Sequence, residues 1–179
     1  MTPQEGNPVT RLRAAVSVLA LVVAVLVGGC TQATPNTTAV VNGVVIHEST
    51  VDEVAEALVS TGAVSTFADA RSSAASNLIA GEVARQLASK DGITLTPADI
   101  NALSVTNPTF ATFLTTPLGA QYATDHVDAS QVINQDSNWR AEFAAVNVEL
   151  NPRYGSWADY IASSASTPPT GSMSVTSGS

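Results

Sequence analysis

The segment Ala39-Val40-Val41-Asn42-Gly43-Val44-Val45-Ile46 sets the first constraint on this chain. Asn-Gly between β-branched residues predicts a two-residue hairpin, because both turn positions need φ > 0. A lone two-stranded hairpin is marginal in water, so another part of the chain must complete the sheet. Most of the chain beyond Ile46 has helical spacing and cannot do so. The period changes only at Val146, Val148 and Leu150, which alternate with Asn147 and Glu149 as in a half-buried strand. The expected architecture is therefore mostly α. It is a helical bundle beside a small sheet, formed by the N-terminal β-hairpin and the late C-terminal strand.

The helices are read from caps and stripes. Ser49 and Thr50 each have an acid three residues on, and Val51, Val54, Ala55, Leu58 and Val59 form an apolar stripe. Gly62 ends that helix. A longer one is expected from about Thr66 to Lys90, with Phe67, Ala74, Ala75, Leu78, Ile79, Val83 and Leu87 on its apolar side. Gly81 either weakens it or lets a neighbour approach closely. Gly92 suits its exit. Thr96-Pro97-Ala98-Asp99 has the form of a further start, with Thr96 as the cap. That helix is short, because Asn107-Pro108 interrupts it. Thr116-Pro117 opens another, to about Ile133, followed by a polar break or kink over Asn134 to Asn138. Asn151-Pro152 ends the late strand, and Tyr154 and Trp157 come next in a Gly-containing segment. From 163 to 179 the chain is Ser, Thr, Pro and Gly without periodicity, and is expected to be a disordered tail.

Ahead of the hairpin, Arg11 and Arg13 precede an uncharged run from Ala14 to Gly29. A basic start, an apolar middle and small residues before a cut have the form of a secretory leader. The run falls short of the ~20 residues of a membrane span. Leu26-Val27-Gly28-Gly29-Cys30 closes it, and Cys30 is the chain's only cysteine. This resembles the lipobox of bacterial lipoproteins, with Val27 where Leu is commoner. The resemblance implies a diacylglycerol on the Cys30 thiol and cleavage between Gly29 and Cys30. The alternative is an uncleaved anchor with an incidental cysteine. The expected organisation is a signal peptide over 1–29, a lipidated tether over 30–38, a helical domain over 39–162 and the tail over 163–179. The expected location is the extracytoplasmic face of the cell membrane, held there by lipid on Cys30.

Charge narrows the partners. The chain has 15 Asp and Glu against 7 Lys and Arg, a formal net charge of −8. That argues against nucleic acid and anionic headgroups. Glu48, Asp52, Glu53 and Glu56 lack EF-hand spacing, and three of them suit the positive end of a helix dipole. Neither His47 nor His126 has a second histidine at metal-ligand spacing, so no metal is expected. His47 is expected to be a solvated loop histidine. No G-x-S-x-G, P-loop or dinucleotide fingerprint occurs, and no catalytic residue or cofactor is assigned. Phe110, Phe113, Tyr122, Trp139 and Tyr160 are expected to be core.

The hairpin followed by an acid-rich helix start, Glu48 to Glu53, resembles the opening of the SurA-type chaperone N-terminal domain. Asp91-Gly92-Ile93-Thr94-Leu95-Thr96-Pro97-Ala98-Asp99-Ile100 resembles that family's second marker, a helix ending in Gly before a new capped helix. Val146 to Trp157 resembles the terminus of small extracytoplasmic lipoproteins that carry the domain. The resemblance covers about residues 39 to 158. It implies a binder of unfolded exported proteins without the parvulin-type prolyl isomerase to which such domains are often fused. It carries over no client-binding residue. The alternative function is a structural or assembly lipoprotein that docks one specific envelope protein.

Overall fold

The computed structural model describes residues 35–163. Gly29 and Cys30, the leader, most of the tether and the tail after Ser163 lie outside the described residues.

The hairpin forms as β1 (Thr37–Val41) and β2 (Val44–His47). Asn42 has φ 46° and Gly43 φ 90°, the left-handed pair that a two-residue turn demands. The late strand β3 (Val148–Leu150) pairs antiparallel with the other edge of β1, giving the order β2-β1-β3. Val41 lies opposite Val44 on one side and Val148 on the other; Ala39 lies opposite Ile46 and Leu150. β1 is thus the central strand, and all five of its residues are buried.

β1 starts two residues before the expected hairpin. Thr37 and Thr38 look like tether in sequence, yet Thr38 is fully buried. The cause is far along the chain. The Asn151 side chain donates to Thr37 O at 3.1 Å, and the Asn151 backbone N–H donates to Thr38 O at 2.8 Å. These bonds satisfy carbonyls that would otherwise be buried without partners.

The helices come in the order α1 (Glu48–Ser60), α2 (Phe67–Asp91), α3 (Ile100–Thr106), α4 (Ala111–Leu114), α5 (Pro117–Gln135), α6 (Trp139–Ala145) and α7 (Trp157–Ser163). Single 3-10 turns at Pro108–Phe110 and Pro152–Tyr154 precede α4 and α7. The described region is mostly helical with one small antiparallel sheet, as the order of patterns implies. α2 packs chiefly against α5 and α1, so the core lies between these helices and the sheet. The α2 face is built from small residues, with Ala70, Ala74, Ala75, Ala84 and Ala88 buried beside Ile79 and Val83. At Gly81 an added Cβ would lie 2.5 Å from the Asp125 Cβ, so this glycine serves close approach.

Several details differ from the expectations. α1 begins at Glu48 straight from β2, with no side-chain cap from Ser49 or Thr50. The Glu48 N–H instead donates to Asn36 O at 3.0 Å. Phe67 is 44% exposed rather than core, because it occupies the first position of α2, ahead of the packed stretch. Thr96 does not cap α3. Its N–H and carbonyl are both taken by the Gln131 side-chain amide at 2.8 Å, which holds it against α5. Asp99 caps instead, accepting from Ala102 N at 3.1 Å. The polar stretch after α5 is a true break, since Gln135 ends one helix and Trp139 starts the next. α7 has no counterpart in the sequence expectations. Ser156 accepts from the Asp159 N–H at 3.2 Å, and Trp157 donates from Nε1 to Phe143 O at 2.9 Å. Aromatic packing from Trp139 through Phe143 and Trp157 to Tyr160 ties α7 to α6.

Candidate functional site

The acids singled out at the start of α1 separate. Glu53 and Glu56 are exposed, while Glu48 is buried and Asp52 half-buried. Arg71 of α2 forks across the latter two, donating from Nη2 to Glu48 Oε2 and from Nε to Asp52 Oδ1 at 2.6 Å. The Tyr154 hydroxyl donates to the same Glu48 oxygen at 2.8 Å. Burial, then the Glu48 carboxylate, push the Tyr154 hydroxyl up to about 12. Arg153 Nε stands 3.7 Å from Glu48 Oε1. Glu48 is therefore a hub joining β2, α1, α2 and the last 3-10 turn. A carboxylate crowded by donors from three side chains suits a clasp between elements.

A second buried network joins α2 to α5. Arg85 Nη1 donates to Asp125 Oδ1 at 2.5 Å and approaches Asp128 Oδ2 at 3.4 Å, while Nη2 donates to Glu82 at 3.1 Å. Gln121 also donates to Asp125 Oδ1, at 3.0 Å. Burial raises the Asp125 carboxyl above its ordinary range, and Arg85 opposes that rise. Burial works against the Arg85 guanidinium too, but its bonds to Asp125 and Glu82 outweigh it and push it up. The two partners pull in opposite senses. Enclosure of Asp125 governs, because Asp125 is fully buried whereas the Arg85 side chain stays 37% exposed.

A third feature is an open cleft of about 110 Å³ lined by Leu103, Asn107, Phe110, Leu114, Tyr122, Ala123 and His126. α5 supplies its floor, and α3, the turn at Pro108 and α4 supply its wall. Tyr122 packs edge-on to Phe113 with ring centroids 5.4 Å apart. Burial pushes the Tyr122 hydroxyl up to about 12 and lowers the His126 imidazole below 6.5. His126 is thus neutral at pH 7, and the cleft lining carries no charge. α3 buries none of its residues, and Val105 on it is 82% exposed. Between Asp91 and Asp125 the only charged side chain is Asp99. An uncharged, lightly packed wall of this kind is suited to apolar contact.

The expected aromatic core divides accordingly. Phe113, Trp139 and Tyr160 are buried, whereas Phe110 and Tyr122 are only partly so and face the cleft. His47 is exposed at the end of β2 and His126 lies in the cleft, so the two histidines do not come together. Among the described residues no group of three or more His, Cys, Asp and Glu could hold a metal ion. A separate hollow beside the hairpin turn has Asn42, Gln86, Lys90 and Glu142 as its polar lining and Leu87, Ala145 and Val146 as its apolar lining, with Lys90 Nζ 2.7 Å from Glu142 Oε2. Comparisons with protein-family models, with curated proteins and with solved structures find no match.

Proposed function

We propose that this chain is a membrane-anchored, extracytoplasmic binder of unfolded exported proteins, related in fold to the SurA-type N-terminal domain and without isomerase or other catalytic activity. The observation that carries the reading is the uncharged cleft between α3, α4 and α5, whose wall helix buries none of its own residues. The order of hairpin, helices and closing strand supports the fold comparison. The Leu26 to Cys30 segment supports the anchor: two or three acyl chains hold a protein stably at a membrane where one does not. No described helix is long and apolar enough to cross a membrane.

A second reading has one observation in its favour. The cleft is small and the chain has only 2 Met, so the surface lacks the adaptable Met-rich character of a promiscuous binder. On that reading the protein docks a single envelope partner. Affinity isolation of the intact lipoprotein from its own envelope separates the two. Many unrelated exported chains at low occupancy support the chaperone reading; one stoichiometric partner overturns it in favour of docking.

A further inference from the structure

The cleft also has features that select its occupant. An apolar cavity of ~150 Å³ accommodates a benzene ring. A space of about 110 Å³ therefore admits one apolar side chain and not a long segment. The wall and floor supply Leu103, Phe110, Leu114 and Tyr122 as apolar contacts, and Asn107 and His126 as the polar ones. The rest of the molecule is acidic, with a net charge of −8. A neutral cleft on a negative body favours an occupant whose flanks are positive.

His126 adds a condition. The groups that line the cleft from α3, the Pro108 turn and α4 are not titratable. On α5 the other titratable lining group is Tyr122, which burial keeps protonated. Tyr160 of α7 is pushed up by burial first and by Tyr122 second, so it stays protonated as well. Asp125 and Asp128, on the same helix as His126, are engaged with Arg85 of α2. No carboxylate lines the cleft to receive an imidazolium, and burial already disfavours one.

Resting on the chaperone reading, we propose that the cleft seats one apolar side chain from a basic polypeptide segment, and that protonation of His126 expels it. The sign follows from the chemistry. Neutral imidazole adds to the apolar lining, while imidazolium must be hydrated and repels the basic flanks. Binding is therefore full at neutral pH and falls as the pH drops through the lowered value of His126.

The test uses the full chain in neutral phosphatidylcholine nanodiscs, with empty nanodiscs as the blank, and fluorescence anisotropy of labelled nonapeptides. One peptide carries a central Leu between Lys flanks; a second has Ala for the Leu; a third has Glu flanks. The expected result is that the first binds at least tenfold more tightly than either of the others, in keeping with the loss of one buried anchor. Its affinity falls several-fold between about pH 7.5 and about pH 5, across the range where histidine titrates. The affinity of His126→Gln, whatever its level at neutral pH, does not change between the two pH values, and Leu103→Asp weakens binding at both. Equal binding of the Leu and Ala peptides, or of the Lys- and Glu-flanked peptides, overturns the occupant. An unchanged affinity on acidification, or an equal fall in His126→Gln, overturns the switch. The peptide comparisons need no variant, so they stand even if Leu103→Asp fails to fold. If the peptides fail while the full chain still suppresses aggregation of an unfolded exported protein, this inference falls and the chaperone reading survives.

Discussion

Gly81 and Asp125 meet where α2 crosses α5, and the contact leaves no room for a methyl group. A Cβ at Gly81 would lie 2.5 Å from the Asp125 Cβ and 2.8 Å from its Cα. Gly81→Ala is predicted to destabilise the domain by about 1–3 kcal/mol through overpacking, although alanine favours helix. Urea unfolding measures this; an unchanged midpoint would show that the helices can separate without cost. Asp125 supports a second prediction. Its carboxyl is raised in the fold by burial, so its ionised form is disfavoured there relative to the unfolded chain. That cost is present at neutral pH and disappears as the pH falls through the unfolded carboxyl value of ~3.9. Asp125→Asn is therefore predicted to melt at the same or a higher temperature at pH 7, with the advantage shrinking on acidification. Arg85 keeps Glu82, Asp128 and water as partners, so it is not stranded. A clear drop in melting temperature at pH 7 would mean that the pair is net stabilising. The sequence marks Glu48 only as an acid near a helix start. Its partners Arg71 and Tyr154 lie 23 and 106 residues away, beyond any local pattern.

Elements are legible where the signal is local. The Asn42-Gly43 turn, the helix starts at Thr66 and Thr116 and the alternation after Val146 each depend on neighbours within a few residues, and each forms where expected. The start of α3 departs from its local signal because Gln131, on another helix, takes both backbone groups of Thr96. α7 leaves little trace in the sequence because a helix of 7 residues is set less by its own periodicity than by the aromatic contact with α6. The cleft leaves none. Phe110 and Tyr122 read as core residues, and only the meeting of three helices leaves them facing a space. The closing strand gives the sharpest prediction at this scale. A chain stopped before Val146 loses β3 and the Asn151 bonds to Thr37 and Thr38, and with them Tyr154 and Trp157. Circular dichroism should show loss of the cooperative thermal transition. A truncated chain that still melts cooperatively would show that the hairpin and helices fold without the third strand.

At the scale of the whole molecule, the order of patterns along the chain is enough to reach a helical domain closed by a three-stranded antiparallel sheet. The strands that meet in that sheet come from both ends of the described region, so folding must close a long loop before β1 becomes central. The anchor is a separate matter of chemistry. On the proposed lipoprotein reading Cys30 is the acyl acceptor and lipid transfer precedes cleavage, so Cys30→Ala is predicted to accumulate as an uncut, unlipidated precursor. Mass spectrometry of the mature protein checks this. An N-terminus other than Cys30, or an unmodified thiol there, would contradict it. The central claim, that the anchored domain binds unfolded chains without catalysis, meets its most direct test in one refolding experiment. An unfolded exported protein with a proline-limited slow phase is diluted into buffer with the full chain in neutral nanodiscs, and light scattering and refolding are followed together. Several-fold excess is expected to cut scattering by half or more, while the slow phase, tens to hundreds of seconds when uncatalysed, keeps its rate. Scattering unchanged at that excess, or a clearly faster slow phase, would contradict it.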